Sequence, residues 1–286
     1  MAGGSTGARA LVLGGGGIAG VAWEVGVLAG LAAAGIDLRD ADLVVGTSAG
    51  SVVGALLGSG RDLEELYADQ LLPVPPGEPA VGFDPVLLMG AIGAALAGAG
   101  GEQEARARVG GFALAADTVP EGDRLDAVRS RIGDADWPAG RLVVTAVDTA
   151  DGAMTTFDAS SGVPLLHAVT ASCAVPGLWP PITVAGARYM DGGMRSATNA
   201  DLAAGCARVV VLAPVDGSAV GPLGPGLAAE LEAVRRHGAV HVVLADDASR
   251  AAFGDDPLDP RTRAPSARAG RAQSRAVAAA VGAVWA

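Results

Sequence analysis

The chain of 286 residues is predicted to adopt an α/β fold around a mostly parallel sheet. Two short apolar runs near its beginning, 10–13 and 42–46, each lead into a helical pattern. The resulting order of strand, helix, strand, helix favours parallel strands joined by right-handed crossovers. Half of the residues are apolar and only 18% are charged, which is the composition of a globular protein and not of a disordered one.

The first half of the chain supplies the elements of this pattern. The strand at 10–13 ends in four consecutive glycines, and a helix from about Ala19 to Ala34 follows, with apolar residues on one face. The second strand, 42–46, precedes a helix over 48–60 that is rich in small residues. A loop containing Pro, Gly and Glu is predicted over 71–81, and an apolar helix over Pro85–Ala97.

The second half begins with a predicted hairpin. The run "RLVVTAVDTADGAMTTFD" (141–158) alternates in polarity on both sides of an Asp-Gly turn. Buried strands are predicted at 207–214 and 239–246 with a helix over 227–236 between them, and an alanine-rich helix closes at Trp285. Because no repeat or linker interrupts the pattern, we expect one domain over 1–286. Its core would cover about 9–215, and a C-terminal strand and helices would cover 216–286.

Charge and cysteine content narrow the class of protein. The net charge of −11 disfavours binding to nucleic acid and strong adsorption to anionic lipid, because both need a positive field. Cys173 and Cys206 are too few and too far apart for a disulfide framework or a zinc site. The first ten residues lack the layout of a signal peptide, and the longest apolar stretch, 86–99, is short for a membrane span. We therefore expect a soluble, cytoplasmic protein.

The glycine run after the first strand fits two kinds of site. Gly15, Gly17 and Gly20 satisfy G-x-G-x-x-G, which suggests a nucleotide pyrophosphate at a helix N-terminus. The same bare backbone N–H groups could instead hold an oxyanion. A dinucleotide fold would also need an acidic residue at the end of the second strand. Asp42 lies at the start of that strand instead, so the nucleotide interpretation lacks the acidic residue that would hold the ribose.

The end of the second strand indicates a nucleophilic serine. Residues 46–50 read Gly-Thr-Ser-Ala-Gly, a G-x-S-x-G motif between a strand and a helix. A nucleophile elbow needs small residues at Gly46 and Gly50 because Ser48 lies in a strained turn between them. The helix dipole after the serine favours developing negative charge. The glycines of the first loop would then serve as oxyanion donors.

The base for this serine has four candidates. His167 lies inside a helical pattern, His237 near a helix end, and His241 at the start of a strand, on the edge opposite the expected site. Asp191 follows an apolar strand end and precedes Gly192 and Gly193. Burial beside the elbow would raise the pKa of its carboxyl and make it a better base at neutral pH.

These motifs together resemble the patatin-like phospholipase family. The resemblance rests on the glycine loop, G-x-S-x-G and a downstream D-G-[AG], and on the blocks "DLVVGTSAGSVVGALL" and "ASCAVPGLWPPITVAGARYMDGG", and it covers about 9–215. It implies a three-layer α/β/α fold and hydrolysis of lipid acyl esters, without cofactor or metal. It further implies a Ser–Asp dyad of Ser48 and Asp191, oxyanion-hole backbone at Gly15, Gly16 and Gly17, and motif glycines at Gly20, Gly46, Gly50, Gly192 and Gly193.

The glycine loop departs from the family pattern at one position. The family usually has Arg or Lys before the last glycine of the loop, whereas this chain has Ala19. Backbone donors survive the change, but a cation that could meet an anionic head group is absent. The alternatives to an enzyme are a catalytically weak lipid-binding or regulatory homologue and a nucleotide-binding module.

Two further expectations concern the surroundings of the site. The apolar segment 83–100 lies between a Pro-rich loop (73–79) and a Gly-rich one (98–101), the arrangement of a mobile cover, and is either a lid or acyl-chain pocket over Ser48 or a core helix. Arg195 and Asn199 are expected to order the loop after Asp191. The expected partners are a lipid or acyl ester and, transiently, a membrane or micelle.

Overall fold

A computed structural model describes residues 7–73, 85–217 and 223–286 of the chain. Within these residues one mixed sheet contains eight strands. In chain order they are β1 (Arg9–Leu13), β2 (Leu43–Gly46), β3 (Arg141–Asp148), β4 (Met154–Phe157), β5 (Ile182–Val184), β6 (Ala187–Asp191), β7 (Arg208–Ala213) and β8 (Ala239–Leu244).

The centre of the sheet is parallel, as predicted. Hydrogen-bonded neighbours follow the order β5-β6-β3-β2-β1-β7-β8, and β4 also pairs with β3. The pairs formed by β1, β2, β3, β7 and β8 among themselves are all parallel. The short strands β4, β5 and β6 pair in antiparallel fashion at one end of the sheet.

Helices cover both faces of the sheet. The described helices are α1 (Gly17–Ala33), α2 (Ala49–Gly58), α3 (Leu63–Leu71), α4 (Pro85–Leu96), α5 (Glu102–Ala115), α6 (Glu121–Ile132), α7 (Leu165–Ser172), α8 (Leu227–Arg235), α9 (Asp247–Phe253) and α10 (Arg263–Trp285). None of them is long and apolar enough to cross a membrane.

Side chains of β1 show how the layers are joined. Leu11 and Leu13 point into a core shared with α1, α2, α7 and α10, whereas Ala10 and Val12 point into a core shared with α8. Successive residues of a strand face opposite sides of the sheet, so this central strand is buried on both faces. The three-layer α/β/α arrangement is therefore present.

The elements with strong patterns are confirmed with small shifts of their ends. The hairpin turns at the predicted Asp-Gly pair between β3 and β4, and the helices expected over 19–34 and 48–60 are α1 and α2. The helix over 85–97 is α4. Residues 74–84 lie outside the described residues, and with them most of the predicted Pro-rich loop and the first two residues of the predicted cover. Helices α3, α5, α6 and α9 and the strand β5 were not predicted.

Candidate active site

Ser48 occupies a strained turn between β2 and α2. Its φ angle is +51°, a conformation that a residue with a side chain adopts at a cost of about 1–3 kcal/mol. The two motif glycines make the turn possible. A Cβ on Gly50 would lie 2.1 Å from the Leu13 carbonyl oxygen, and one on Gly46 would lie 2.7 Å from the Cα of Ser51. The loop geometry predicted from G-x-S-x-G is therefore present.

Three hydrogen bonds with side chains help to fix the backbone of Ser48 in this conformation. Its N–H donates to Ser172 Oγ at 2.9 Å, from the end of α7. Its carbonyl oxygen accepts bonds from Ser51 Oγ at 2.6 Å and from Cys173 Sγ at 3.3 Å. The strained residue is thus held from both α2 and α7, which leaves the hydroxyl as its adjustable group.

Strand register brings Asp191 beside the serine. Gly46 at the end of β2 pairs with Val144 of β3, and Asp191 at the end of β6 pairs with Ala146, two residues further along the same strand. Because β4 pairs with both Val144 and Ala146 along one edge of β3, β2 and β6 must share the other edge. Their carboxyl ends therefore meet, and Ser48, two residues past Gly46, lies level with Asp191.

The two side chains form a short, partly buried hydrogen bond. Ser48 Oγ donates to Asp191 Oδ2 at 2.7 Å, and the Gly193 N–H donates to Asp191 Oδ1, also at 2.7 Å. Asp191 is 2% exposed, and this burial raises the pKa of its carboxyl to about 6, against the lowering effect of its hydrogen bonds and of the Arg124 charge. The carboxylate can thus be ionised at neutral pH and still be a much stronger base than an exposed aspartate.

The glycine loop lies against Ser48, and its backbone N–H groups differ in whether they already have a hydrogen-bond acceptor. A Cβ on Gly15 would be 3.6 Å from Ser48 Cβ, and Gly15, Gly16 and Gly17 all line the same cavity as Ser48. The Gly15 N–H, however, donates to the Ala197 carbonyl at 2.8 Å. No acceptor among the described residues takes the N–H of Gly16 or Gly17. Of the three predicted oxyanion donors, only the N–H groups of Gly16 and Gly17 are therefore unoccupied within the described part of the chain, because the Gly15 N–H holds the loop in place.

The turn after Asp191 is tied to the serine turn through Asn199. The Asn199 amide donates to Thr47 Oγ1 at 3.1 Å and to the Gly192 carbonyl at 3.3 Å. Its own Oδ1 accepts a bond from Arg195 at 2.7 Å, and Arg195 is in turn paired with Asp201. One amide therefore bridges the segments that carry the two candidate catalytic residues.

A cavity of about 580 Å³ opens over this pair. The glycine loop and residues 256–261 form one side, and Ile18, Val21 and Val52 contribute apolar surface. Trp179, two arginines of α6 and other residues of the segment 173–179 also line it. Such a largely apolar cavity with a few polar groups at its base suits a ligand that has an acyl chain and one polar centre.

The three histidines of the sequence lie away from this cavity. His167 lies on α7, His237 is exposed beyond α8, and His241 pairs with Val210 in the strand β8. None of the three, all in the described part of the chain, lines the cavity. Cys173 and Cys206 are free and buried, and burial raises the pKa of each thiol. None of these histidines is therefore placed to act as the base for Ser48.

The apolar helix α4 packs beside the site rather than on the cavity. Ile92 and Ala95 are buried in a cluster with residues of α5 and with Met194, which does line the cavity. Val86 and Leu87 are 76% and 67% exposed. No described residue of 83–100 lines the cavity wall. In this conformation α4 presents apolar side chains outward.

Ala19 and Gly20 are placed in a tight part of α1. Ala19 is fully buried and its N–H donates to the Pro257 carbonyl at 2.9 Å. A Cβ on Gly20 would lie 3.4 Å from Ala49 Cβ. The segment that contains Pro257 thus covers the position where the family usually has a cation.

Sequence patterns did not reveal Ser172 or Arg124. Ser172 precedes Cys173 within a block quoted above, but nothing in its spacing marks a bond to the nucleophile turn. Arg124 is one of three arginines on the amphipathic helix α6, and no local signal separates it from the other two. Only the fold brings both residues to the serine.

Comparisons with known proteins identify the family of the chain. The family model for patatin-like phospholipase matches residues 11–204. No curated protein matches the chain in sequence.

Among solved structures, VipD from Legionella pneumophila is 14% identical with a TM-score of 0.45, covering 96% of this chain and 67% of VipD. The type III effector protein ExoU is 16% identical with a TM-score of 0.38, covering 96% of this chain and 54% of ExoU. ExoU of Pseudomonas aeruginosa in complex with SpcU is also 16% identical, with a TM-score of 0.35, covering 94% of this chain and 53% of the other. The chain thus spans about two thirds of VipD and about half of ExoU.

Proposed function

Because the chain belongs to the patatin-like phospholipase family, we propose that it is a serine acyl hydrolase that cleaves acyl esters of lipids. Ser48 is the nucleophile and Asp191 the general base. The observation that carries the proposal is the 2.7 Å hydrogen bond from Ser48 Oγ to Asp191 Oδ2 at the floor of a cavity. A hydroxyl aimed at a buried carboxylate is arranged to lose its proton as it attacks.

The first half of the reaction transfers the acyl group to the enzyme. Ser48 Oγ forms a bond to the ester carbonyl carbon while its proton moves to Asp191 Oδ2. The carbonyl electron pair moves onto the oxygen, giving a tetrahedral oxyanion. When this intermediate collapses, the C–O bond to the alcohol breaks, and the alcohol leaves with the proton that Asp191 returns. The product is an acyl-Ser48 ester.

The second half repeats these steps with water. Asp191 takes a proton from the water as its oxygen attacks the acyl carbon, and the tetrahedral oxyanion forms again. Collapse breaks the bond to Ser48 Oγ, which recovers its proton from Asp191, and releases the fatty acid. One carboxylate is sufficient for both halves because it alternates between base and acid.

The oxyanion is assigned to the amides of Gly16 and Gly17. Both residues line the cavity with Ser48, and no described residue accepts a hydrogen bond from their N–H groups. An oxyanion donor typically contributes on the order of 3 kcal/mol to the transition state. The closeness of Gly15 to Ser48 also favours this use of the loop over the nucleotide alternative, which would need the loop to face a ribose site.

Covalent labelling tests the proposal. A fluorophosphonate probe should modify the wild-type chain at Ser48, and Ser48→Ala should lose both labelling and ester hydrolysis. Ser59→Ala is the matched control because Ser59 is exposed beyond the far end of α2, so labelling should continue. Hydrolysis by purified Ser48→Ala would refute the proposed nucleophile. Lipid binding without labelling of the wild type would instead favour the catalytically weak, lipid-binding homologue.

A further inference from the structure

Arg124 is a buried cation in the wall of the cavity. It extends from α6 and is 4% exposed. The centre of its guanidinium lies 4.0 Å from the centroid of the Trp179 ring, a distance at which the planar group stacks on the aromatic face. Arg124 and Trp179 both line the cavity that contains Ser48.

The hydrogen-bonding capacity of this guanidinium is largely unused. Its Nε has no partner among the described residues. One terminal nitrogen donates to the Cys173 carbonyl at 3.5 Å, which is a long hydrogen bond. No carboxylate of the described residues forms an ion pair with it, although the charges of Arg124 and Asp191 influence each other. A buried cation with so few partners is costly to maintain unless a ligand supplies the missing acceptors.

The other charged groups of the cavity do not meet this need. Arg261 pairs with Asp259 and is 90% exposed. Asp256 accepts a bond from the Leu258 N–H. Arg131 lies seven residues after Arg124, two turns along α6 on the same face, and lines the cavity as well. Both residues that α6 contributes to the cavity lining are therefore arginines, in a chain whose net charge is −11.

We propose that Arg124 forms a subsite for the phosphate of a glycerophospholipid whose acyl ester lies at Ser48. The subsite rests on the proposed acyl hydrolase function and adds a residue that would select among lipid esters by their head group. A phosphate offers several oxygens to the planar fork of an arginine, which suits bidentate recognition. Arg124 would also supply a cation in a chain that has the buried Ala19 where the family usually has Arg or Lys.

Paired substrates measure the subsite. Dioctanoylphosphatidylcholine and dioctanoylglycerol, each in the same detergent micelles, carry identical acyl chains and differ in the phosphate-containing head group. Arg124→Met should lower the ratio of their kcat/KM values, phospholipid over neutral glyceride, at least tenfold, chiefly through KM. Arg124→Lys, which keeps the positive charge but not the planar guanidinium donors, should recover part of the lost ratio. A ratio that falls less than tenfold in Arg124→Met overturns the subsite.

Arg261→Met is the matched control. It removes another arginine of the same cavity, one that already has a carboxylate partner, and the substrate ratio should stay within threefold of wild type. An equal fall in Arg261→Met and Arg124→Met would show a nonspecific effect of cavity charge and would also overturn the subsite.

A binding measurement separates the subsite from the proposed chemistry. Ser48→Ala is titrated by calorimetry with monomeric dihexanoylphosphatidylcholine, with and without Arg124→Met. Weakening of the dissociation constant by at least tenfold supports the subsite even if the chain hydrolyses no ester, and an unchanged constant overturns it even if hydrolysis is confirmed. If Arg124→Met fails to fold, inhibition of the native protein by sodium phosphate is measured instead. Phosphate should inhibit dioctanoylglycerol hydrolysis competitively and beyond sodium chloride of equal ionic strength, and no such excess overturns the subsite.

Discussion

Replacing Asp191 with asparagine should remove activity and at the same time stabilise the fold at neutral pH. Burial raises the pKa of this carboxyl from 3.8 to about 6 in the folded protein. At about 1.4 kcal/mol per pH unit, the ionised carboxylate makes the folded state about 3 kcal/mol less stable than the protonated acid does. A neutral amide imitates the protonated acid, so Asp191→Asn should recover up to that amount.

The geometry of the site can accept the amide. The asparagine Oδ1 can keep the bond from the Gly193 N–H, and its Nδ2 can donate to Ser48 Oγ in place of the bond that Ser48 now gives to Asp191. What disappears is the base. Loss of a positioned general base typically lowers the rate 10²- to 10⁴-fold, and we expect a fall in kcat of this size.

The gain in stability must depend on pH in a defined way. Below about pH 4 the carboxyl is protonated in both folded and unfolded wild type, and the two proteins should be equally stable. Between about pH 4 and 6 the folded wild type retains a proton that the unfolded chain has released, so its stability falls relative to the variant as pH rises. Above pH 6 the difference should level off at its full value.

Thermal unfolding at a series of pH values measures this difference. For a chain of this size each kcal/mol corresponds to roughly 2–4 °C in Tm, so Asp191→Asn should melt several degrees above wild type at pH 8 and together with it at pH 4. A difference that is constant across pH, or a variant less stable than wild type at pH 8, would refute the account of a carboxyl destabilised by burial.

Two further predictions concern the proton and the lipid surface. The kcat/KM of wild type on a soluble neutral ester should fall about tenfold per pH unit below pH 6, since Asp191 must be ionised to act as base and its pKa is about 6; a midpoint near 4, measured over pH 4–9, would contradict this. The Leu87 side chain on α4 is 67% exposed, and we expect α4 to contact the membrane. Leu87→Asp should therefore reduce hydrolysis of phosphatidylcholine vesicles several-fold with little change in hydrolysis of the soluble ester. Equal loss on both substrates, or loss on neither, would exclude that contact.

Local pattern was sufficient where one segment determines its own structure. The apolar run of β1, its glycine loop and the turn at Ser48 could be predicted because a strand, a tight turn and a helix start each leave a signature in adjacent residues. Asp191 could be placed at a strand end in the same way. The sequence could not show that β6 runs antiparallel on β3, and that register, not spacing along the chain, sets its distance from Ser48.

Other parts of the site were missed for a related reason. Ser172 and Arg124 act across the fold, and neither has a sequence neighbour that reveals its partner. The Gly15 amide was expected to be a donor to substrate, but it bonds to Ala197, a residue of a distant loop. Contacts between segments far apart in the chain have no periodicity, so they become visible only when the strands are assembled.

Three groups that destabilise the folded state lie around one cavity. A serine with positive φ, a buried carboxylate and a buried guanidinium each oppose folding by roughly 1–3 kcal/mol or more. The first two are in direct contact, and the third lines the same cavity. The parallel centre of the sheet, buried on both faces, supplies the apolar burial that offsets them. Because a phosphate would supply the acceptors that Arg124 lacks, a short phospholipid should raise the Tm of Ser48→Ala more than a neutral glyceride with the same acyl chains does, at equal free concentration. This order follows from linkage, since a ligand that binds the folded state more tightly stabilises it more; an equal rise in Tm with both ligands would contradict it.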